Sequence, residues 1–184
     1  MSRYILYNAS VNKMKVELKE NYLPIEHENA NVLLIEILKS KGLKISVAES
    51  FTGGNIASKL TLVSGASSVF YEGIVAYNEN AKIERLNVKS QSIEDYKPVS
   101  FEVASEMTKG LLANGKCDLA ISTTGIAGPN SDDSGFPVGL CFIGVNFKGL
   151  LTVYKYTLDG TRQEIVNKAT NLAINLAINT INNI

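Results

Sequence analysis

Hydrophobic positions recur along the chain with two periods, one typical of helices and one typical of strands. Over residues 29–40 the apolar side chains follow helical spacing and Gly42 ends the run, which predicts a first helix. The segment LKISVA, at residues 43–48, is apolar and partly β-branched, as expected of a buried strand. Residues 55–62 can continue as a helix. The pattern therefore predicts a strand, a turn and a helix in that order.

The rest of the chain continues this alternation. Helices are predicted over residues 79–86, from about Ser100, and from Thr161, which has the capping-box spacing with Glu164. Further strands are predicted at YEGIVAYN, DLAIST, VGLCFIGVNF and LLTVYKYTL. Because only Lys148 and Gly149 join the last two strands, they are expected to form an antiparallel hairpin. The class is therefore α/β, a single three-layer α/β/α domain with a mixed sheet.

Composition and charge limit the possible partners. A chain of 184 residues with 45% hydrophobic content suits one core, which we assign to residues 29–184, with residues 1–28 as an N-terminal extension or edge hairpin. Eighteen basic and eighteen acidic side chains cancel without runs of like charge. We therefore expect neither a nucleic-acid nor a membrane partner. Without a secretion signal or a bilayer-length apolar run, the expected location is cytoplasmic.

The few residues suited to metals or redox chemistry are poorly placed for it. His27 is the single histidine, which disfavours a histidine-dependent triad or a multi-histidine metal site. Asp132 and Asp133 are adjacent carboxylates that lack the spacing of a calcium loop. We expect no metal and no cofactor. Cys117 and Cys141 lie outside any CxxC pattern in apolar surroundings, which is typical of buried thiols in a reducing compartment.

The turn between the first predicted strand and the next helix has an unusual composition. The stretch SVAESFTGGNIASKL brings polar and small residues to this junction: Glu49, Ser50, Thr52, Gly53 and Gly54. Backbone N–H groups at such a turn converge on one point, which favours an anion or oxyanion cradle. In the alternative interpretation, a hydroxyl caps the helix and the glycines relieve crowding. The spacing matches neither a Walker loop nor a dinucleotide-binding fingerprint.

A second glycine loop, STTGIAGPN at residues 122–130, also follows a predicted strand. Ligands of α/β proteins bind at the carboxyl ends of the strands, so we expect the two loops to meet at one edge of the sheet. The pair of loops favours a ligand site over two ordinary connections.

Five ordered motifs carry a family resemblance: VAESFTGG, GIVAYNENAKIERLNV, STTGIAGP, PVGLCFIGV and GTRQEI. In this order they resemble the C-terminal domain of competence/damage-inducible protein A, the CinA family, from about Val32 to the end of the chain. Stand-alone members of that family hydrolyse the carboxamide of nicotinamide mononucleotide to nicotinate mononucleotide and ammonia. The resemblance implies a salvage enzyme whose ligand is a small pyridine nucleotide.

The resemblance also implies catalytic roles. Amide hydrolysis needs a nucleophile, a proton acceptor and donors for the oxyanion. Ser50 matches the family's serine and is the expected nucleophile, and Lys82, in a Y-x-x-x-A-K motif, is the expected base. Tyr77 is expected to orient this pair or to stack on the nicotinamide ring. The pattern alone instead favours a solvated helix lysine paired with Glu79 or Glu84 at position 82, and it leaves open a half-buried aromatic at Tyr77.

The remaining predicted site residues bind the substrate. Backbone N–H groups from Thr52 to Gly54 are the expected oxyanion donors. Glu49 is assigned a supporting hydrogen bond because strand alternation points it away from Ser50. The second loop is expected to contact the ribose or the amide through Thr123, Thr124 and Gly125.

Arg162 is the expected phosphate ligand. It stands in the first turn of a helix, where a positive side chain is unfavourable for the helix dipole unless an anion is nearby. The alternative is an ordinary surface arginine.

Two residues next to the predicted site depart from the family pattern. Phe51 replaces the usual cysteine and can reshape the pocket, and Thr161 replaces the usual aspartate and removes a negative partner. Both substitutions bear on turnover and substrate preference.

Two other functions remain open at this point. A module on the same scaffold can bind a nucleotide without hydrolysing it, in a regulatory or assembly role. A phosphate-ester hydrolase would need metal ligands or acids that neither loop supplies. We also expect a homodimer, with the last hairpin and residues 1–28 as surfaces for a symmetric interface.

Overall fold

The computed structural model describes residues 3–5, 15–113, 115–131 and 135–183. Its strands are β1 (Arg3–Ile5), β2 (Lys15–Glu20), β3 (Ile45–Glu49), β4 (Phe70–Val75), β5 (Leu119–Gly125), β6 (Leu140–Phe147) and β7 (Leu150–Thr157). Its α-helices are α1 (Ala30–Lys41), α2 (Asn55–Thr61), α3 (Glu79–Leu86), α4 (Ser90–Tyr96), α5 (Phe101–Leu112) and α6 (Arg162–Asn182), with a short 3₁₀ turn at Ala66–Ser68.

The strands form one sheet in the order β1-β2-β7-β6-β5-β3-β4. β3 is parallel to its two neighbours, β4 and β5, so their carboxyl ends meet at one edge. β6 runs antiparallel to β5 and to β7, whereas β2 joins β7 in parallel. The predicted mixed sheet is therefore confirmed.

Helices cover both faces of this sheet. On one face α1, α2 and α6 pack over a core that includes Ile35, Leu60 and Ile178. On the other face α5 crosses the central strands and packs against α3 and α4. The predicted three-layer α/β/α arrangement is therefore confirmed. In the described part of the chain, no helix combines the length and the apolar character needed to cross a bilayer.

The predicted hairpin is present, but it lies in a different environment from the one we expected. β6 and β7 pair antiparallel, with Phe147 opposite Leu150. All residues of β6 are buried, and β2 covers the outer edge of β7. The hairpin therefore does not provide the exposed surface expected for a symmetric interface.

The helix α4 was not predicted, because its seven residues offer little apolar periodicity. The predicted acidic pair, Asp132 and Asp133, lies outside the described residues.

The start of α6 follows the predicted capping box. The Thr161 hydroxyl accepts a hydrogen bond from the Glu164 N–H at 3.4 Å, and the Glu164 carboxylate accepts one from the Thr161 N–H at 2.7 Å. Two N–H groups at this helix end are thereby satisfied. The cap fixes the first turn of α6 and with it the backbone position of Arg162.

The two cysteines are free thiols. Cys141 is fully buried, and burial raises the pKa of its thiol to about 12. Cys117 is only partly buried; its thiol lies 3.7 Å from the Leu111 carbonyl oxygen, and burial raises its pKa as well. The predicted burial is thus complete for Cys141 and partial for Cys117.

A glycine sets the distance between α5 and α3. A Cβ atom at Gly110 would lie 2.1 Å from the Leu86 carbonyl oxygen, so only glycine permits this approach. We expect Gly110→Ala to lower the free energy of unfolding by about 1–3 kcal/mol, because the added methyl forces α3 away. Urea denaturation measures this change. A stability gain of roughly 1 kcal/mol, the usual effect of glycine to alanine in an open helix, would contradict the close packing.

Candidate active site

A cavity of about 420 Å³ lies at the edge where the parallel strands end. This volume falls within the range of roughly 300–1,000 Å³ that is common for small-molecule sites. The walls come from the turn after β3, the start of α3, the α4–α5 connection, the loop after β5 and the first residue of α6. The described lining residues are Ser50, Phe51, Tyr77, Glu79, Lys82, Pro98, Val99, Thr124, Gly125, Ile126, Ala127, Gly128, Asn130, Ser131 and Arg162.

Ser50 follows β3 directly and is held from both sides. Its N–H donates to the Thr123 carbonyl oxygen at 3.0 Å, and its own carbonyl oxygen accepts from the Gly53 N–H at 3.0 Å. The Thr52 and Thr123 hydroxyls share a hydrogen bond of 2.7 Å that ties the turn to β5. The Ser50 hydroxyl makes no hydrogen bond to a described residue, so it remains available to a ligand in the cavity.

The carboxylate of Glu49 occupies the start of α2. It accepts hydrogen bonds from three backbone N–H groups: those of Gly54 at 3.1 Å, Ile56 at 3.1 Å and Ala57 at 2.8 Å. A carboxylate is favoured at this position because the helix dipole and the unpaired N–H groups both attract negative charge. Glu49 is buried and does not line the cavity.

These bonds change the expected set of oxyanion donors. The sequence predicted that N–H groups from Thr52 to Gly54 would face the substrate. In the structure the Gly53 N–H is used by Ser50 and the Gly54 N–H by Glu49. Neither glycine lines the cavity. The glycine N–H groups therefore stabilise the turn itself.

Lys82 projects from α3 into the cavity and is only 3% exposed. Burial lowers the pKa of its amine, and the negative charge of Glu79 offsets part of that effect. Lys82 makes no hydrogen bond through its amine and no ion pair within the described ranges. The alternative of a solvated lysine paired with Glu79 or Glu84 is therefore wrong for this fold. A buried amine with a lowered pKa is suited to accept a proton.

The Arg162 guanidinium bridges two other walls of the cavity. It donates to the Tyr77 hydroxyl at 2.7 Å and to the Gly128 carbonyl oxygen at 2.6 Å. The Tyr77 ring stands at the rim with 56% of its surface exposed. Among the described lining residues, Arg162 and Lys82 carry the positive charges and Glu79 the negative one. The Tyr77 hydroxyl is thus a hydrogen-bond acceptor for Arg162.

A sequence model of the CinA C-terminal domain matches residues 27–181 of this chain. The chain belongs to the CinA family. It is 50% identical over 132 residues to a CinA-like protein of Fusobacterium nucleatum, which covers 72% of this chain and 32% of that protein. It is 39% identical over 162 residues to a CinA-like protein of Kosmotoga olearia, covering 88% of this chain and 39% of that protein. The chain thus spans less than half the length of these relatives.

Solved structures support the same assignment to the CinA family. A CinA superfamily protein from Escherichia coli matches with a TM-score of 0.80 and 29% identity, covering 83% of this chain and 89% of that one. The competence/damage inducible protein CihA from Agrobacterium tumefaciens matches with a TM-score of 0.77 and 30% identity, covering 85% and 98%.

In this CinA domain the predicted site residues fall into two groups. Those that line the cavity are Ser50, Tyr77, Lys82, Thr124, Gly125 and Arg162. Those that lie outside its lining are Glu49, Thr52, Gly53, Gly54 and Thr123, and several of them hold the Ser50 turn through the bonds described above. The division of the predicted residues into those that line the cavity and those that support the turn depends on the fold and was not predicted from the sequence.

The second loop of the CinA domain contributes through its backbone and one hydroxyl. The Thr124 hydroxyl donates to the Pro98 carbonyl oxygen at 2.7 Å, which joins this loop to the α4–α5 connection. A Cβ at Gly125 would lie 2.6 Å from the Cys141 Cβ and 3.0 Å from the Phe51 ring. Gly125 is therefore required by packing, and the Phe51 ring rests against it.

Some parts of this cavity come from segments that no sequence pattern predicts. Pro98 and Val99 line it, although no pattern in the sequence associates the α4–α5 connection with a site. Gly128 lay within the quoted loop, and its carbonyl oxygen is an acceptor for Arg162. Within the described ranges, no group of three or more His, Cys, Asp and Glu side chains is arranged to hold a metal ion.

Proposed function

We propose that this CinA domain hydrolyses the carboxamide of nicotinamide mononucleotide to nicotinate mononucleotide and ammonia. The observation that carries the proposal is that the free Ser50 hydroxyl and the buried Lys82 amine line the same cavity. Serine activated by a neutral lysine is a known arrangement for acyl transfer. Family membership adds support, since the motifs around both residues are those that the resemblance associates with this activity.

The first half of the proposed reaction forms an acyl-enzyme. Neutral Lys82 accepts the hydroxyl proton as the Ser50 oxygen attacks the carboxamide carbon, and the carbonyl oxygen becomes an oxyanion. The Lys82 ammonium then gives its proton to the amide nitrogen. The carbon–nitrogen bond breaks and ammonia leaves.

The second half releases the acid. A water molecule attacks the acyl carbon while Lys82 accepts its proton. The carbon–oxygen bond to Ser50 then breaks, and Lys82 returns the proton to the serine oxygen. One water is consumed and one ammonia is released for each nicotinate mononucleotide. The lowered pKa of Lys82 supports this cycle because it increases the neutral fraction of the amine at a given pH.

Arg162 and Tyr77 supply the proposed recognition of the nucleotide. Guanidinium groups bind phosphate through several parallel hydrogen bonds, and Arg162 reaches the cavity from the first residue of α6. The exposed Tyr77 ring at the rim is available for stacking on the pyridine ring. The phosphate would then lie near Arg162 and the carboxamide near Ser50.

A direct assay tests the proposal against its alternative. The protein is incubated with nicotinamide mononucleotide, ammonia is measured with a coupled dehydrogenase, and nicotinate mononucleotide is measured by chromatography. Equal amounts of both products are expected. Binding of the nucleotide by calorimetry without either product would instead support a module that binds without hydrolysis.

Replacing Arg162 with alanine is expected to weaken binding of the phosphate. Loss of charge-assisted hydrogen bonds worth about 1.5–3 kcal/mol corresponds to a fall in kcat/KM of about 10- to 150-fold for nicotinamide mononucleotide. Steady-state kinetics measure this, with nicotinamide riboside as the control because it has no phosphate. An equal fall for both substrates would show that Arg162 acts on something other than the phosphate.

A further inference from the structure

The turn that carries Ser50 uses most of its backbone N–H groups on acceptors within the protein. The donors with partners are Ser50 to the Thr123 carbonyl, Gly53 to the Ser50 carbonyl, Asn55 to the Thr52 carbonyl, and Gly54, Ile56 and Ala57 to the Glu49 carboxylate. The start of α2 is thereby filled by a carboxylate of the protein. A substrate anion therefore finds no free donor among these groups.

Phe51 and Thr52 are the exceptions in this turn. Neither N–H group makes a hydrogen bond to a residue that the structure describes, although Phe51 is 5% exposed and Thr52 is 0% exposed. A buried N–H group without a partner costs free energy, so such groups are rare in folded proteins. Phe51 lines the cavity beside Ser50, whereas Thr52 does not.

We propose that the backbone N–H of Phe51 donates the hydrogen bond to the oxyanion formed when Ser50 attacks the carboxamide. This inference rests on the proposed function, since it assigns a donor for the same reaction. In other hydrolases the nucleophile stands at a sharp strand-to-helix turn, and the N–H of the next residue stabilises the oxyanion. Ser50 stands at such a turn, between β3 and α2, and Phe51 is the next residue.

The surrounding contacts hold this peptide group in place. Glu49 fixes the start of α2, the Thr52–Thr123 hydroxyl pair fixes the turn against β5, and the Phe51 ring rests on Gly125. A donor that is fixed before the reaction needs no reorganisation when charge develops on the substrate oxygen. Because the donor is a backbone group, the bulky side chain at position 51 is compatible with this role.

A backbone ester at position 51 tests the assignment. Phenyllactic acid, inserted by nonsense suppression, removes the N–H of residue 51 and keeps the ring. We expect kcat for nicotinamide mononucleotide to fall by about 100-fold or more, with KM nearly unchanged, as for loss of one oxyanion donor. The matched control is leucic acid at Leu62, which removes the N–H that bonds to Ser58 in α2, outside the cavity lining. It should retain the kcat of the unmodified protein.

A second measurement tests the Phe51 donor independently of which substrate the protein hydrolyses. A fluorophosphonate reacts with activated serines through an intermediate with a negative oxygen, and mass spectrometry gives the labelling rate of Ser50. The ester at position 51 should slow labelling by about tenfold or more. If the unmodified protein does not hydrolyse nicotinamide mononucleotide but the ester variant is labelled more slowly, the Phe51 assignment holds and the proposed substrate is wrong. Wild-type rates of both hydrolysis and labelling in the ester variant would overturn the Phe51 assignment, and so would failure of Ser50 to label in the unmodified protein.

Discussion

Replacing Ser50 with alanine is expected to lower kcat for nicotinamide mononucleotide by about 10⁴-fold or more, as when a serine nucleophile is removed from other acyl-transfer enzymes. Without the hydroxyl no acyl-enzyme forms, and only the positioned donors and binding groups remain. The Ser50 hydroxyl bonds to no described residue, so its removal leaves no buried group unpaired. The free energy of unfolding should therefore change by less than about 1 kcal/mol. Ammonia release and urea denaturation measure the two quantities.

Ser46 provides the matched control for this experiment. It is a buried serine on β3, the strand that Ser50 directly follows, and it does not line the cavity. Ser46→Ala should keep the wild-type kcat. If Ser50→Ala retained about a tenth of the wild-type kcat, the loss would be too small for a nucleophile and the acyl-enzyme mechanism would be wrong.

Replacing Lys82 with methionine is expected to lower kcat by about 10³-fold or more, because the reaction loses its proton acceptor. In the wild-type protein kcat/KM should rise with pH through the lowered pKa of Lys82, since only the neutral amine accepts a proton. The residual activity of the methionine variant should lack this rise. Steady-state rates across the pH range measure both profiles. An unchanged pH profile in the variant would assign the titrating group to another residue.

The same substitution should stabilise the protein at neutral pH. The amine has its ordinary pKa of 10.5 in the unfolded chain and a lower pKa in the folded protein, so the folded state binds fewer protons between these two values. The charged amine therefore lowers the free energy of unfolding. This effect is fully present below the pKa of Lys82 in the folded protein and disappears as the pH rises toward 10.5. Lys82→Met removes this effect and should therefore raise the free energy of unfolding at pH 7.

Urea denaturation at pH 7 and at pH 10 tests the sign of this effect. The stability gain of Lys82→Met should be smaller at the higher pH. Lys41→Met, at the exposed end of α1, is the matched control and should show no gain at either pH. A gain that grew with pH would mean that burial does not lower the pKa of Lys82.

Local sequence patterns predicted most elements, but they could not place those elements relative to one another. The capping box at Thr161 and the β6–β7 hairpin involve residues close in sequence, and both are confirmed. The position of the hairpin inside the sheet depends on β2, which pairs with β7 across more than a hundred residues. Periodicity carries no information about such distant pairing.

The burial of Lys82 could be predicted only in part from the sequence. Charge pairing on a helix favoured a solvated lysine, yet Lys82 lies four residues before Leu86, and these two residues form the buried face of α3. This spacing of four residues could have indicated that Lys82 lies on the same buried face of α3 as Leu86. The capture of the α2 N–H groups by Glu49 was not predictable, because it depends on where the turn places the carboxylate relative to the helix axis. Alternation along β3 indicates only which face the side chain takes.

The pairing of β2 with β7 has a consequence for synthesis on the ribosome. Glu20 lies opposite Lys155, so translation must pass the whole of β3 to β6 before the early strand meets its parallel neighbour. In nascent chains that stall before Leu150, β2 can pair with β1 but its other edge lacks β7, and open strand edges are templates for aggregation. The sheet therefore cannot be completed until β7 has been synthesised.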